Sequence, residues 1–355
     1  MKNKNFFQLI IKNENTLYAI LNESGILAEC DLKQKKWNIW SVLPEWYQSS
    51  PCTFFHLDRD SELLYLASQE TGRILIYNLK SHQYEEVGFF PEERTEQSYK
   101  IAVAVTYQEK FLFLPLYPEM ELTVFDKSTK TAQVYFEWTK KFVQYFQDMG
   151  LKPLLIRRGS VCTGRDTLYC VVKCESGDVV LSICLSNLKI QEMYRLDIEG
   201  KLLCIKSEGE MIWFQNKTAE GSRLICWNSQ EERVERKSDL FAGISARVLS
   251  IQEFTEFLCV SLADGKMLIL EQNTLRMKKI VEDACIYLVE NSKVVFTDNG
   301  RVVKLLNLKS KEYVEFHRSK DFCTQIFAEM IKEKKKLEVT GERGTGQLIF
   351  DKVSA

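Results

Sequence analysis

Two stretches, ESGILAECDLK at 23–33 and ETGRILIYNLK at 70–80, follow one pattern: an acid, a hydroxyl residue and a glycine, then a hydrophobic run, then Asp or Asn, Leu and Lys. Further copies are ESGDVVLSICL with Gly177, AEGSRLICWN with Gly221, ADGKMLILEQ with Gly265 and DNGRVVKLLNLK with Gly300. A seventh, PEMELTVFDKSTK, carries Met120 where the glycine would fall. The marks at 25, 72, 120, 177, 221, 265 and 300 recur at a spacing mostly of about 45 residues, which restricts the chain to an architecture built from repeated units.

Each unit has the same internal grammar. A short hydrophobic run precedes the glycine: Thr16–Leu21, Leu63–Ala67, Phe111–Leu116, Leu168–Val172, Met211–Phe214, Phe257–Ser261 and Val294–Thr297. The polar residue and glycine fit a tight hairpin turn, because such residues tolerate positive φ. A second run ends in a polar turn such as NLKSHQY or NLKSKEY, and further runs lie before and after, as in FFHLDRDSELLY and YEEVGFF. That is four short strands per unit. One four-stranded antiparallel sheet cannot bury both faces alone, whereas seven packed face to face around an axis can.

The chain therefore resembles the β-propeller superfamily over residues 5 to about 317. It lacks the Gly-His and Trp-Asp of WD repeats, the Gly-Gly of kelch blades and the Asp-box of sialidase-type propellers. YNLKSHQYEEV is similar to turns of degenerate bacterial propellers. The expected fold is all-β: a seven-bladed β-propeller of four-stranded antiparallel blades over 1–317, then a C-terminal helix and hairpin over 318–355. The first and last units each supply four strands, so no strand is shared between the termini.

Composition narrows the function classes. With 48 basic against 49 acidic residues the chain has no basic excess for nucleic acid. The apolar run from Phe6 to Ile11 is too short for a signal peptide, and no run reaches a membrane span, so a cytoplasmic protein is expected. The eleven cysteines lie mostly in hydrophobic runs and read as reduced core residues. Three histidines and a lone C-x-x-x-C pair, Cys170 and Cys174, give no metal-ligand pattern, and no cofactor is implied.

Departures from the repeat are where specificity can enter. Three consecutive connections are long: LPEWYQSSP at 43–51, FPEERTEQS at 90–98 and EWTKKFVQYFQDMGLKP at 137–153. All six prolines fall in the first 153 residues, with these connections. The third has helical spacing over about 138–149, with Trp138, Phe142, Tyr145, Phe146 and Met149 on one face and Gly150 as the stop. This helix either buries its aromatics against the ring or offers them, with Lys141, to a partner. Trp46 and Tyr47 are either a binding anchor or a plug between blades, and Glu93 and Arg94 mark the second loop. The tail RSKDFCTQIFAEMIKEKKK reads as an amphipathic helix, and GERGTG after it is a hairpin turn rather than a phosphate loop.

Chemistry has few candidates. His56 lies in an expected innermost strand and is the histidine placed to look into the channel; His82 and His317 lie elsewhere. Of Arg157 and Arg158, at most one faces the channel, and Arg157 is taken as the candidate, with bridging between blades as the alternative. The sequence is read as a non-catalytic protein-binding or scaffolding module whose partner is another protein or a peptide. The alternative is an enzyme acting on a small or glycan-like substrate at the channel mouth.

Overall fold

The computed structural model describes residues 7–318, with breaks at 14–15, 22–25, 32–35, 43, 45–51, 69–72, 89–100, 118–120, 164–165, 255–256, 282–283, 291–292, 299–301 and 308–312. The expected extension at 318–355 lies outside the described residues save Arg318. Blade one is β1 (Phe7–Asn13), β2 (Thr16–Leu21), β3 (Ile26–Asp31) and β4 (Lys36–Val42). Blade two is β5 (Cys52–Asp58), β6 (Leu63–Ser68), β7 (Arg73–Asn78) and β8 (Tyr84–Gly88). Blade three is β9 (Ile101–Tyr107), β10 (Lys110–Pro115), β11 (Leu122–Asp126) and β12 (Thr131–Tyr135), followed at once by helix α1 (Phe136–Asp148). Blade four is β13 (Pro153–Thr163), β14 (Thr167–Cys174), β15 (Gly177–Cys184) and β16 (Ile190–Tyr194). Blade five is β17 (Lys201–Glu208), β18 (Met211–Lys217), β19 (Gly221–Asn228) and β20 (Arg233–Lys237), with the short β21 (Phe241–Ala242). Blade six is β22 (Val248–Glu253), β23 (Phe257–Leu262), β24 (Met267–Glu271) and β25 (Met277–Val281); blade seven is β26 (Ala284–Glu290), β27 (Lys293–Asp298), β28 (Val302–Asn307) and β29 (Tyr313–Arg318).

Each blade is an antiparallel sheet in chain order. Its first strand is innermost: β1 lies against β5, β9 against β13, β13 against β17, β17 against β22, β22 against β26, and β26 against β1. Blades two and three join through Phe54, Tyr65, Ile101, Phe111 and Phe125. The ring closes without a shared strand, as the repeat predicts. Among the described residues, apolar side chains from facing sheets fill the seams from blade two to blade six, for example Tyr169 and Val171 of blade four with Ile212, Phe214 and Trp227 of blade five.

The turns explain the repeated polar letters. At the outer hairpins Asn78, Asp126 and Asn228 each accept two backbone N–H groups from the residues two and three ahead. His82, Lys130 and Glu232 complete these three turns, and Leu188 and Leu275 sit at the corresponding hairpins of blades four and six, all at φ of 55–58°. The Asp or Asn is thus an Asx turn closing one hairpin after another. The glycine mark has two physical causes. Gly177 and Gly265 have positive φ, 126° and 87°. Gly221 is needed for close approach: β21 pairs with β19 there, and a Cβ would lie 2.3 Å from the Phe241 carbonyl oxygen.

Every innermost strand carries a β-bulge against its neighbour. The longest interruption is in β13, where pairing passes from Ile156↔Val172 to Ser160↔Cys170, so that Arg157, Arg158 and Gly159 stand opposite Val171. Bulges raise local twist and re-aim side chains, as expected where strands converge on an axis.

Helix α1 stops as its sequence suggests. Gly150 at φ 67° ends it, with its N–H bonded to the Gln147 carbonyl and the Leu151 N–H to that of Phe146. Trp138, Phe142 and Phe146 are buried in one cluster with Leu122 and Val124 of blade three and Leu181 and Ile183 of blade four. Trp138 Nε1 donates to the Leu188 carbonyl at 3.0 Å, tying the helix to the outer turn of blade four.

Gly221→Ala should lower stability by about 1–3 kcal/mol in urea unfolding, because the methyl must push β21 off β19. Gly88→Ala, where a Cβ meets nothing within 4 Å, should be neutral or slightly stabilising.

Candidate functional site

In a propeller the two faces of each sheet are turned to the neighbouring blades. Successive side chains of an innermost strand therefore point at the blades on either side, not into the channel. His56, expected at the channel, obeys this. Its ring packs against Phe111 of blade three, with centroids 5.1 Å apart, and Nδ1 lies 3.4 Å from Thr106 Oγ1. It borders a cleft of about 490 Å³ between blades two and three, with Asp58, Ser61, Glu109 and Lys127.

Three charges of this cleft, Asp58, Glu109 and Lys127, satisfy one another. Lys127, nearly buried, reaches Glu109 at 3.1 Å and Asp58 at 3.5 Å. Asp58 also accepts the amides of Asp60 and Ser61 at 3.2 and 3.3 Å. Burial alone would raise the Asp58 carboxyl, but the Ser61 bonds and Lys127 together hold it below the usual carboxylate value. Burial first, and the Lys127 charge second, push His56 below the ordinary imidazole value, so it is neutral at pH 7. Ser61 engages Asp58 rather than His56. The cleft thus presents a neutral imidazole beside a closed ion cluster, without a nucleophile–base pair.

Arg157, for which bridging between blades was the alternative to facing the channel, is engaged within the fold. Its guanidinium forms a two-point pair with Asp178, Nε to Oδ2 at 3.1 Å and an Nη to Oδ1 at 2.8 Å, and both side chains are largely buried. Asp178 Oδ2 also accepts the Leu202 N–H of β17 at 2.7 Å. Arg157 therefore braces blade four against blade five and is not free for a channel ligand.

On α1, Trp138 and Phe142 are core side chains and cannot meet a partner, because their face closes the seam between blades three and four. Lys141 is exposed and Tyr145 half-buried. The helix also leaves Phe136 and Met149 open, 52% and 56% exposed, so that Met149 stands off the buried stripe that its spacing suggests, and Phe136 lies just before the span with helical spacing. Trp46, Tyr47, Glu93 and Arg94 lie outside the described residues. Cys170, Cys174, Cys184, Cys204, Cys226 and Cys259 are free and buried. Burial pushes the thiols of Cys170 up to about 12 and of Cys174 and Cys259 up to about 11, far from nucleophilic at neutral pH. Among the described residues no His, Cys, Asp or Glu group could hold a metal ion, and no helix is long and apolar enough to cross a membrane.

Comparison with solved structures places the fold among β-propellers. The chain is similar to a chain of the mitotic checkpoint complex, at TM-score 0.54 and 10% identity over 90% of each chain. It is also similar to hydrazine synthase of Kuenenia stuttgartiensis, at TM-score 0.56 and 11% identity over 88% of this chain and 96% of that one. A third likeness is to the dihydro-heme d1 dehydrogenase NirN, at TM-score 0.54 and 8% identity over 87% of this chain and 67% of that one. These identities show the fold and nothing finer. No family model and no curated protein matches the sequence.

Two outcomes test this geometry. Arg157→Ala should cost about 3–5 kcal/mol in urea unfolding, because it leaves the Asp178 carboxylate buried without its ion partner. For His56 the folded state holds its proton less tightly than the unfolded chain, whose value is 6.5. Stability should therefore fall as pH drops through and below 6.5, and His56→Phe should flatten that part of a stability profile measured between about pH 7.5 and 5.5.

Proposed function

We propose that this propeller is a non-catalytic binding module whose partner is another protein or a peptide, held on the side where blades three and four meet. The observation that carries the reading is α1. It is an addition to the repeat, and its buried stripe already has a structural role in the seam. Its remaining surface keeps Phe136 and Met149 open, about 20 Å apart along a helix rising 1.5 Å per residue, with Lys141 and Tyr145 between. Large apolar side chains framing a cation suit a protein surface better than a small solute. Trp46, Tyr47, Glu93 and Arg94, in the two other long connections, supply further contacts in this reading. The buried, protonated thiols and the closed His56 cleft favour binding over turnover.

The test is mild affinity purification of the tagged protein from its own host, with quantitative mass spectrometry. A variant carrying Phe136→Ser, Tyr145→Ala and Met149→Ser, and a second carrying Trp46→Ala and Tyr47→Ala, serve as comparisons. A stoichiometric partner should be retained by the natural chain and reduced at least about tenfold by one or both variants, a loss of about 1.4 kcal/mol or more. A partner held equally by all three, or none at stoichiometric yield, overturns the reading.

A further inference from the structure

The inner rim of blades four, five and six gathers cations that the fold holds in place and that make no ion pair among the described residues. Arg158 stands in the β13 bulge beside the engaged Arg157. The next residue, Gly159, has φ 97°, and a Cβ there would lie 2.7 Å from the Cys204 carbonyl oxygen of β17, so the bulge is pressed onto blade five. Arg247 immediately precedes β22 in blade six. Its guanidinium nevertheless reaches to 4.0 Å from the Cβ position of Gly159 in blade four. Blade five lies between those blades, so this reach runs across the inner edge of β17, on the channel side.

The backbone that presents Arg247 is fixed on both sides. Buried Gln215 donates to the Ala246 carbonyl at 2.7 Å and accepts the Val248 N–H at 2.9 Å. The Arg247 carbonyl itself accepts the Ala263 N–H at 2.8 Å. Lys201 and Lys217, paired across β17 and β18, flank the same rim. Among the described residues none of Arg158, Lys201, Lys217 and Arg247 makes an ion pair; the nearby carboxylate, Asp178, is bound by Arg157. Burial first, and then the Arg158 charge, hold the Arg247 guanidinium below the ordinary arginine value. Burial, then Arg157 and Lys217, do the same to the Lys201 ammonium. The cluster repels itself in a chain whose net charge is −1.

We propose that Arg158 and Arg247, supported by Lys201 and Lys217, form a channel-side site for a phosphate group, either inorganic phosphate or the phosphate of a small monoester. A guanidinium is a planar fork matched to a phosphate's oxygens, and two forks on fixed backbones bind it without reorganising the blades. A dianion returns to the cluster the counter-charge it lacks. The site lies apart from α1 and does not rest on the protein-binding reading.

Calorimetric titration of the full chain with inorganic phosphate, phenyl phosphate and sodium chloride tests it. Both phosphates should give saturable binding that chloride does not reproduce. Arg158→Ala and Arg247→Ala should each weaken it at least about tenfold, and Arg247→Lys should fall between natural chain and alanine variant. Lys237→Ala, on the outer strand of blade five, should bind as the natural chain does. Removing one of two repelling arginines should leave unliganded thermal stability unchanged or raised, which shows that lost binding is not lost folding. Tighter binding of phenyl phosphate identifies a monoester as the ligand, and tighter binding of phosphate identifies the free ion. Absence of saturable binding by either phosphate, or an affinity equal to the natural chain's in both arginine-to-alanine variants, overturns the proposal.

Discussion

A four-stranded sheet with two apolar faces is unstable alone, and the architecture follows from the need to cover both faces at once. Strand β14 shows the demand: Leu168, Tyr169, Cys170, Val171 and Val172 are all buried, with alternate residues serving the seams on either side. Only a ring of such sheets gives every face a partner without leaving two exposed. The hydrophobic contribution, about 25 cal/mol per Å² of apolar surface removed from water, is thus distributed over the seams rather than concentrated in one core. Where a seam needs more, the chain adds material. Helix α1 fills the outer gap between blades three and four, and Arg157 with Asp178 ties blade four to blade five.

The same constraint decides what can face the channel. If blade faces belong to the seams, an ordinary residue of an innermost strand is committed to a neighbour, as His56 is to Phe111. Residues escape where alternation is interrupted or a strand begins. Arg158 lies in a bulge, Arg247 just before β22, and Lys201 at the first position of β17. Adjacent arginines thus have opposite fates: Arg157 is taken into the structure, while Arg158 is left with its charge unanswered among the described residues. Buried Gln215 belongs to the same logic, since its amide fixes the backbone on both sides of Arg247.

Much of this was legible in the sequence because hairpin turns and alternation are local. The runs read as strands fall on β2, β6, β10, β14, β18, β23 and β27, and the helical spacing falls on α1, which begins two residues before it, at Phe136. The Asp and Asn of the repeat proved to be Asx turns. What was not legible depends on contacts between blades. The strand β21 is two residues long and exists because Gly221 lets another backbone come within pairing distance. The choice between a seam and a channel for His56 and Arg157 depends on bulge position, which leaves little trace in the letters beyond the Gly159 that follows two arginines. The aromatic stripe of α1 looks the same whether it meets a partner or a seam; Leu181 and Ile183, more than thirty residues on, decide it.

The outer rim bears on how a partner can approach. An outermost strand offers unpaired backbone groups and invites another strand to add to the sheet. Here those strands carry charge: Glu85 and Glu86 in β8, Arg233, Glu235, Arg236 and Lys237 in β20, Lys278 and Lys279 in β25. Several pair within or across blades, as Lys130 does with Glu85 and Arg233 with Glu235, so that a docking strand would have to displace a charge partner as well as water. Such rims oppose edge-to-edge association and leave contact to the helix and loops between blades and to side chains leaning into the channel. The fold alone does not choose between those places. Position separates them: α1 lies on the outside of the ring, while the rim where Arg247 reaches back to the backbone beside Arg158 has a solute's scale.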